Sequence, residues 1–371
     1  MSPRIPDYNG ASLPNVVPAL RARLGGDDTS FPWMPKTLSG VANVVLLVLD
    51  GLGALQLQSH GAQVPTLAGA SVGSLDSVCP TTTVAALTSI TTSTPPGQHG
   101  LLGYRMVLDG EIFYPLSWQR NGIDVRESYP PAQLLGAPSF PGFDAVPAIG
   151  RSDYGATGFS GAHLGNTTMI AAATPSSIAV CVADALSHGN SFVYAYYDGI
   201  DRVAHANGLG RHYDAELRAS DQLVGDIVSL LPKETALVVI ADHGQVEVGA
   251  SVLHPPREVF DSVTLLSGEG RFRWFHAKEG AAADLYDALK ESFGSCAWVM
   301  RKDELFTAGF FGPNPRDEFF ERLGDVVVAP FEPVAILDPG DVGESRIVAR
   351  HGSLTRTEVE VPLCVFLSTR A

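Results

Sequence analysis

The sequence predicts an α/β protein: a mainly parallel central sheet flanked by helices. Three observations carry this. VVLLVLDG (44–51), SFVYAYYDG (191–199) and TALVVIADHG (235–244) share one design, a β-rich apolar run ending on Asp with Gly close behind. Such a run without polar alternation is a strand buried on both faces, as parallel central strands are. Between the second and third runs lies RHYDAELRASDQLVGDIVSLL, whose Tyr213, Leu217, Val224, Ile227, Val228 and Leu231 fall on one helical face. Strand, helix, strand is a βαβ unit and implies a parallel sheet.

The remaining segments follow in order. Residues 1–40 are Pro- and Gly-rich and are expected to wrap over the body. In SVCPTTTVAALTSITTSTPPGQHG (77–100), Pro80 ends an extended run and Thr81 to Thr83 open a helix. Residues 104–165, rich in Gly, Pro and aromatics with no long period, read as an insert over the site. Residues 270–340 read as a small α+β subdomain. RFRWFHA and CAWVMR are strands around a helix in GAAADLYDALKESFG; a second helix in PRDEFFERLG precedes DVVVAP and PVAILD. The expected organisation is one catalytic domain over 1–371, with its core in 40–103, 166–269 and 341–371.

Composition narrows the function. The chain has 371 residues, 45% hydrophobic and 18% charged, with a formal net charge of −15. An acidic surface repels polyanions, which argues against nucleic-acid polymers and anionic membranes as partners. A small phosphate ester stays compatible if metal ions mask the charge locally. Cys79, Cys181, Cys296 and Cys364 form no CxxC pair and read as free thiols. Neither a signal-peptide core nor a run of about 18 apolar residues is present, so the expected location is cytoplasmic. Oligomeric state is not readable from the sequence.

In open parallel sheets, ligands bind beyond the C-terminal strand ends. Here three strands deliver Asp50, then Asp198 or Asp201, then Asp242 with His243 to that edge. A strand-end Asp alone is a turn residue more often than a ligand. DGIDRVAH places Asp201 and His205 four apart, one face of one helical turn. ARHGSLT adds His351. Three Asp and three His suit Zn²⁺, or Mn²⁺ or Fe, and divide into two sites of three. Two ions about 4 Å apart are a common clamp for displacement at phosphorus. The Thr-rich helix start at 81–83 offers a hydroxyl nucleophile beside free amides. A plain N-cap would look similar.

In chain order these segments resemble the alkaline phosphatase superfamily, and within it the type I phosphodiesterase/nucleotide pyrophosphatase family. The resemblance runs from VVLLVLDGLG to ARHGSLTRTEVEVPL and implies a three-layer alkaline-phosphatase-like core. It implies that Asp50, Asp242 and His243 hold one metal together with Thr83, the second Thr of a P-T-x-T-like motif and the nucleophile. It implies that Asp201, His205 and His351 hold the other. GQHG resembles a further family motif whose His, here His99, is structural. Where the family's nucleotide pyrophosphatase branch has an oxyanion-donating Asn, this chain has Ala86. Asp198 has no family counterpart and is expected in a turn or behind the ligands.

The implied activity is hydrolysis of a small phosphate ester or nucleotide-like substrate through a phosphothreonine at a two-metal site. A phosphomonoesterase, a phosphonate C–P hydrolase and a non-catalytic zinc protein are the alternatives. A sulfatase fits poorly because Cys79 is followed directly by Pro80. Tyr104, Trp118, Tyr154, Phe159 and His163 are candidates for a wall against a planar group. Arg105, Arg120, Arg151 and His254 are candidates for contact with an anionic portion.

Overall fold

The computed structural model describes residues 2–341 and 343–368. Seven strands form the central sheet: β1 (Asn43–Leu49), β2 (Ser71–Asp76), β3 (Val146–Arg151), β4 (Thr167–Ala172), β5 (Phe192–Tyr197), β6 (Thr235–Ile240) and β7 (Glu360–Leu367). Their order is β2-β7-β6-β1-β5-β3-β4. β6, β1, β5, β3 and β4 run parallel, and β7 is antiparallel to both of its neighbours. The α/β class with a mainly parallel sheet is therefore as the apolar runs predict.

β1 lies at the centre, and Val44 to Leu49 are all fully buried. Each such side chain stabilises the fold by about 1.5–3 kcal/mol relative to exposure. Helices cover the sheet, among them α1 (Thr83–Thr92), α2 (Gly199–Asn207) and α3 (Arg211–Leu230). Tyr213, Leu217, Val224 and Ile227 of α3 are buried on the face that their spacing defines.

Two boundaries differ from the sequence expectation. β3 comes from within 104–165, yet it pairs with β4 and β5 inside the core sheet. Pro147 and Gly150 weaken its strand signal, and its neighbours in the sheet supply what its own sequence lacks. What does stand apart in that segment is a small antiparallel sheet of Met106–Leu108, Glu111–Tyr114, Gln119–Arg120 and Ile123–Asp124. The second difference is at 270. A separate antiparallel sheet already starts with Val263–Glu269 and continues through Phe272–Ala277, Val326–Pro330 and Ala297–Arg301. Helix Ala282–Phe293 packs against it through Leu285, Leu289 and Phe293. The expected helix in PRDEFFERLG is only a 3₁₀ stretch, Asp317–Arg322, bounded by Pro315 and Gly324.

Candidate active site

Register builds the site. Leu49 stands opposite Tyr197, and Val48 opposite Ile240. Three parallel strands therefore release their chains at one level, and Asp50, Asp198 and Asp242 emerge together. The Asp50 N–H donates to the Tyr197 carbonyl at 3.0 Å, and the Asp201 N–H donates to the Asp50 carbonyl at 3.1 Å. Gly51, at φ +77°, permits that second bond. A Cβ there would lie 3.1 Å from Asp201 Cα and 2.9 Å from Gln245 Nε2.

The three histidines are oriented by the backbone. Nδ1 of His205 meets the Ala349 carbonyl at 2.7 Å, that of His351 the Thr81 carbonyl at 2.8 Å, and that of His243 the Gly244 carbonyl at 3.2 Å. A carbonyl only accepts, so each Nδ1 carries the hydrogen. In the neutral ring Nε2 is then the acceptor nitrogen and carries a lone pair, the usual preparation of a metal ligand; that of His243 meets the Thr83 hydroxyl. Burial, with His243 and His205 alongside, pushes His351 well below the ordinary imidazole range. The His243 and His351 rings stack with centroids 3.6 Å apart.

His243 Nε2 lies 3.4 Å from Asp50 Oδ1, 3.3 Å from Asp242 Oδ2 and 3.2 Å from Thr83 Oγ. His205 Nε2 lies 3.2 Å from Asp201 Oδ2, and His351 Nε2 3.8 Å from Asp201 Oδ1. Two sets result, Asp201–His205–His351 and Asp50–Asp201–His243, with the ligand atoms of each within 4.8 Å of one another. Asp201 belongs to both.

The carboxylates favour a cation. Asp50 Oδ2 accepts from the Tyr196 hydroxyl, and Asp242 Oδ1 accepts from the amides of Gly51 and His243 at 3.0 Å each. Asp50 Oδ1 and Asp242 Oδ2 are buried without a hydrogen-bond partner among the described residues. Burial, then the nearby Asp242 and Asp201, pushes the Asp50 carboxyl well above the usual carboxylate range; Asp242 is also raised, chiefly by burial. Unpartnered carboxylate oxygens beside imidazole lone pairs fit a divalent metal.

The seven sequence-predicted ligand and nucleophile positions lie close together, but the grouping differs from the expected one. Asp201, rather than Asp242, joins Asp50 and His243 in the second set, while Asp242 and Thr83 stand beside His243. Thr83 is the first residue of α1, after an extended Thr82. Asp198 stays behind the ligands, accepting from the Tyr154 hydroxyl at 2.5 Å and from Arg151 at 3.3 Å. His99 is buried against Ser89 at 2.9 Å, away from the cluster. Of the wall candidates, Tyr154, Phe159 and His163 line one cavity and Tyr104 another, whereas Trp118 packs against Phe113 in the core. Arg105, Arg120 and Arg151 are engaged by Asp338, Glu111 and Asp153, and His254 is exposed and lines neither cavity. Sequence reasoning missed Tyr196 and also Gln245, whose Nε2 donates to Asp201 Oδ1 at 2.5 Å. Their signal was proximity: both lie within three residues of a candidate ligand or strand-end Asp.

Two cavities of about 240 Å³ each open beside Thr83. The first includes Asp50 and the second His205 and His351; both include Thr83, Asp201 and Leu116.

Phosphoester hydrolases of the alkaline phosphatase superfamily use such a sheet edge with metal ions, and this protein is one of them. The model of the type I phosphodiesterase / nucleotide pyrophosphatase family matches residues 44–132 and 165–354, together more than half of the chain, and the chain belongs to that family. No curated protein sequence matches it. Among solved structures, murine ectonucleotide pyrophosphatase / phosphodiesterase 5 superposes with a TM-score of 0.62 at 16% identity, over 86% of this chain and 87% of that one. An inactive threonine-to-alanine variant of that protein, in complex with AMP, superposes with a TM-score of 0.62 at 15% identity and the same 86% and 87% coverage. Phosphonoacetate hydrolase from Sinorhizobium meliloti 1021, in complex with phosphonoacetate, gives 0.65 at 16% identity, over 88% and 90%. No helix among the described residues is long and apolar enough to cross a membrane.

Proposed function

We propose that the whole chain acts as one catalytic unit. It cleaves a small phosphate diester or nucleotide-like pyrophosphate through a phosphothreonine on Thr83, at two divalent metal ions, with zinc the first choice. The observation that carries this reading is the pair of cavities meeting at Thr83. A diester has two organic arms with phosphorus between them. A monoester has one arm and an extra charge that calls for a free cation. The arginines lining the cavities, Arg202 and Arg350, already face Asp198 and Glu344.

Asp50, Asp242 and His243, with Thr83, would hold one ion, and Asp201, His205 and His351 the other. Bound there, such ions supply Lewis-acid charge to the attacking and leaving oxygens. Thr83 Oγ gives up its proton and attacks phosphorus in line. The bond to the leaving oxygen breaks and that oxygen takes up a proton. Water then cleaves the phosphothreonine, returning a proton to Thr83 Oγ and releasing the monoester. The amides of Thr83, Val84 and Ala85 precede the first intrahelical bond, from Ala86 N–H to Thr82 O. They are the oxyanion donors in place of the side chain that Ala86 lacks. The inactive threonine-to-alanine relative supports a threonine nucleophile.

A cytoplasmic location goes with this reading, supported by four free cysteines. Likeness to phosphonoacetate hydrolase favours a second reading, C–P hydrolysis on the same core. The zinc-loaded protein, assayed on bis(p-nitrophenyl) phosphate, p-nitrophenyl phosphate and phosphonoacetate, should prefer the diester by about a hundredfold or more in kcat/KM. A faster monoester or phosphonate reaction would overturn the diester reading.

A further inference from the structure

The cavity on the Asp50 side has walls that specify more than the reaction. It is formed by α1, β3, β4, β5 and helix Gly158–His163, and its apolar lining includes Leu87, Ile149, Phe159, Leu164 and Met169. The polar groups in that wall are spent on one another. Tyr154 and Tyr196 donate to Asp198 and Asp50. Thr157 Oγ accepts from the Ser160 amide at 3.0 Å and donates to the Tyr154 carbonyl at 3.1 Å. His163 gives its Nδ1 hydrogen to the Phe159 carbonyl at 2.7 Å and stacks on the Phe159 ring at 4.0 Å. Burial keeps that imidazole neutral, its pKa lowered to about 4. Apart from Asp50 Oδ1, which faces the carboxylate–histidine cluster, the Tyr194 hydroxyl stands out: it is buried, in a side chain only 2% exposed, and has no hydrogen-bond partner among the described residues.

We propose that this cavity binds the retained arm of the substrate, and that this arm is an uncharged, largely apolar, ring-sized group with at most one polar atom, placed to meet the Tyr194 hydroxyl. The assignment rests on the Thr83 reading above. There the leaving oxygen belongs with His205 and His351, which line only the other cavity. Size supports a ring. A protein cavity of about 150 Å³ accepts benzene, and this one has about 240 Å³, room for a substituted or fused ring. An anion finds no free cation, because the lining arginine, Arg202, faces Asp198 at 3.6 Å. A cation finds no free carboxylate once Asp50 and Asp201 hold metal, since Asp198 already accepts from Tyr154 and Arg151. A nucleobase fits in volume but not in chemistry. It carries several edge donors and acceptors, and each one buried without a partner costs about one order of magnitude in affinity.

Three diesters sharing a p-nitrophenolate leaving group test this: the methyl, phenyl and thymidine-5′ esters. With the zinc-loaded protein, the phenyl ester should exceed the methyl ester by about tenfold or more in kcat/KM, and should exceed the thymidine ester. Met169 is half-buried on an edge strand, so Met169→Trp is expected to fold. It should bring the phenyl-to-methyl ratio close to one. Calorimetry on metal-loaded Thr83→Ala with phenyl phosphate, methyl phosphate and thymidine 5′-phosphate provides a readout without turnover, and the same ranking is expected. Thymidine ligands ranking first, or phenyl no better than methyl, would overturn the assignment. If no ester is turned over while phenyl phosphate still binds tightest, the hydrolytic reading fails and the cavity assignment stands.

Discussion

Thr83 Oγ stands 3.2 Å from His243 Nε2, although 160 residues separate them in the chain. The contact brings the start of α1 against the chain leaving β6, where Asp50 and Asp242 also converge. A hydroxyl held at such a cluster is placed to react. Thr83→Ala should therefore lower diester turnover by about 1,000-fold or more while keeping fold and metal content. Turnover assays, metal analysis and circular dichroism on one preparation check this. Normal turnover in the variant would mean that another group attacks phosphorus.

Tyr196 acts on the site through Asp50. Its hydroxyl donates to Asp50 Oδ2, so the carboxylate presents Oδ1 to the cluster. Tyr196→Phe keeps the ring and removes that bond. Metal affinity should fall by roughly 10- to 100-fold, the usual cost of losing such an outer partner. Competition titration against a chromophoric chelator measures it.

Without metal, Asp50 is a liability. Burial and its acidic neighbours raise its folded pKa above the unfolded value. Its contribution to stability is therefore fully present below about pH 3.9 and is lost as pH rises through the folded value. Chelator-treated Asp50→Asn should be more stable at pH 8 than chelator-treated wild type, and the advantage should shrink toward acid pH. With zinc at about 1,000-fold over its dissociation constant, the wild type gains about 4 kcal/mol, and the order should reverse. Urea denaturation in the four conditions gives the answer.

His99 has the opposite sign. Burial lowers its pKa to about 3. It is neutral in the fold, so stability is lost as pH falls from about 6.5 toward that value. The slope is about 1.4 kcal/mol per pH unit. In chelator-treated protein, His99→Gln should weaken the dependence of the urea midpoint between pH 7 and pH 5. An unchanged slope would show that His99 is not held neutral.

Five of the candidate ligand positions were legible because they sit at the end of an apolar run or one helical turn beyond it: Asp50 after β1, Asp201 and His205 on α2, Asp242 and His243 after β6. Strand ends are marked in sequence by an abrupt change of polarity. β3 carries no such mark, and its place in the sheet depends on β4 and β5 rather than on its own residues. Tyr194 and Tyr196 share a face by period two, but periodicity cannot tell that one hydroxyl meets Asp50 and the other has no hydrogen-bond partner among the described residues. The wall formed by Leu87, Ile149 and Met169 is assembled from three distant segments, so no local pattern announces it.

The Gly51 turn has one more consequence. The Asp50 carbonyl holds the Asp201 amide, and Gly51 lets the two chains approach closely. The spacing between Asp50 and Asp201 is thus gauged by main chain against main chain. Wall residues such as Met169 can change without altering that gauge. A single methyl at position 51 would reset it, so tolerance to mutation should be broad around the cavities and abrupt at this one glycine.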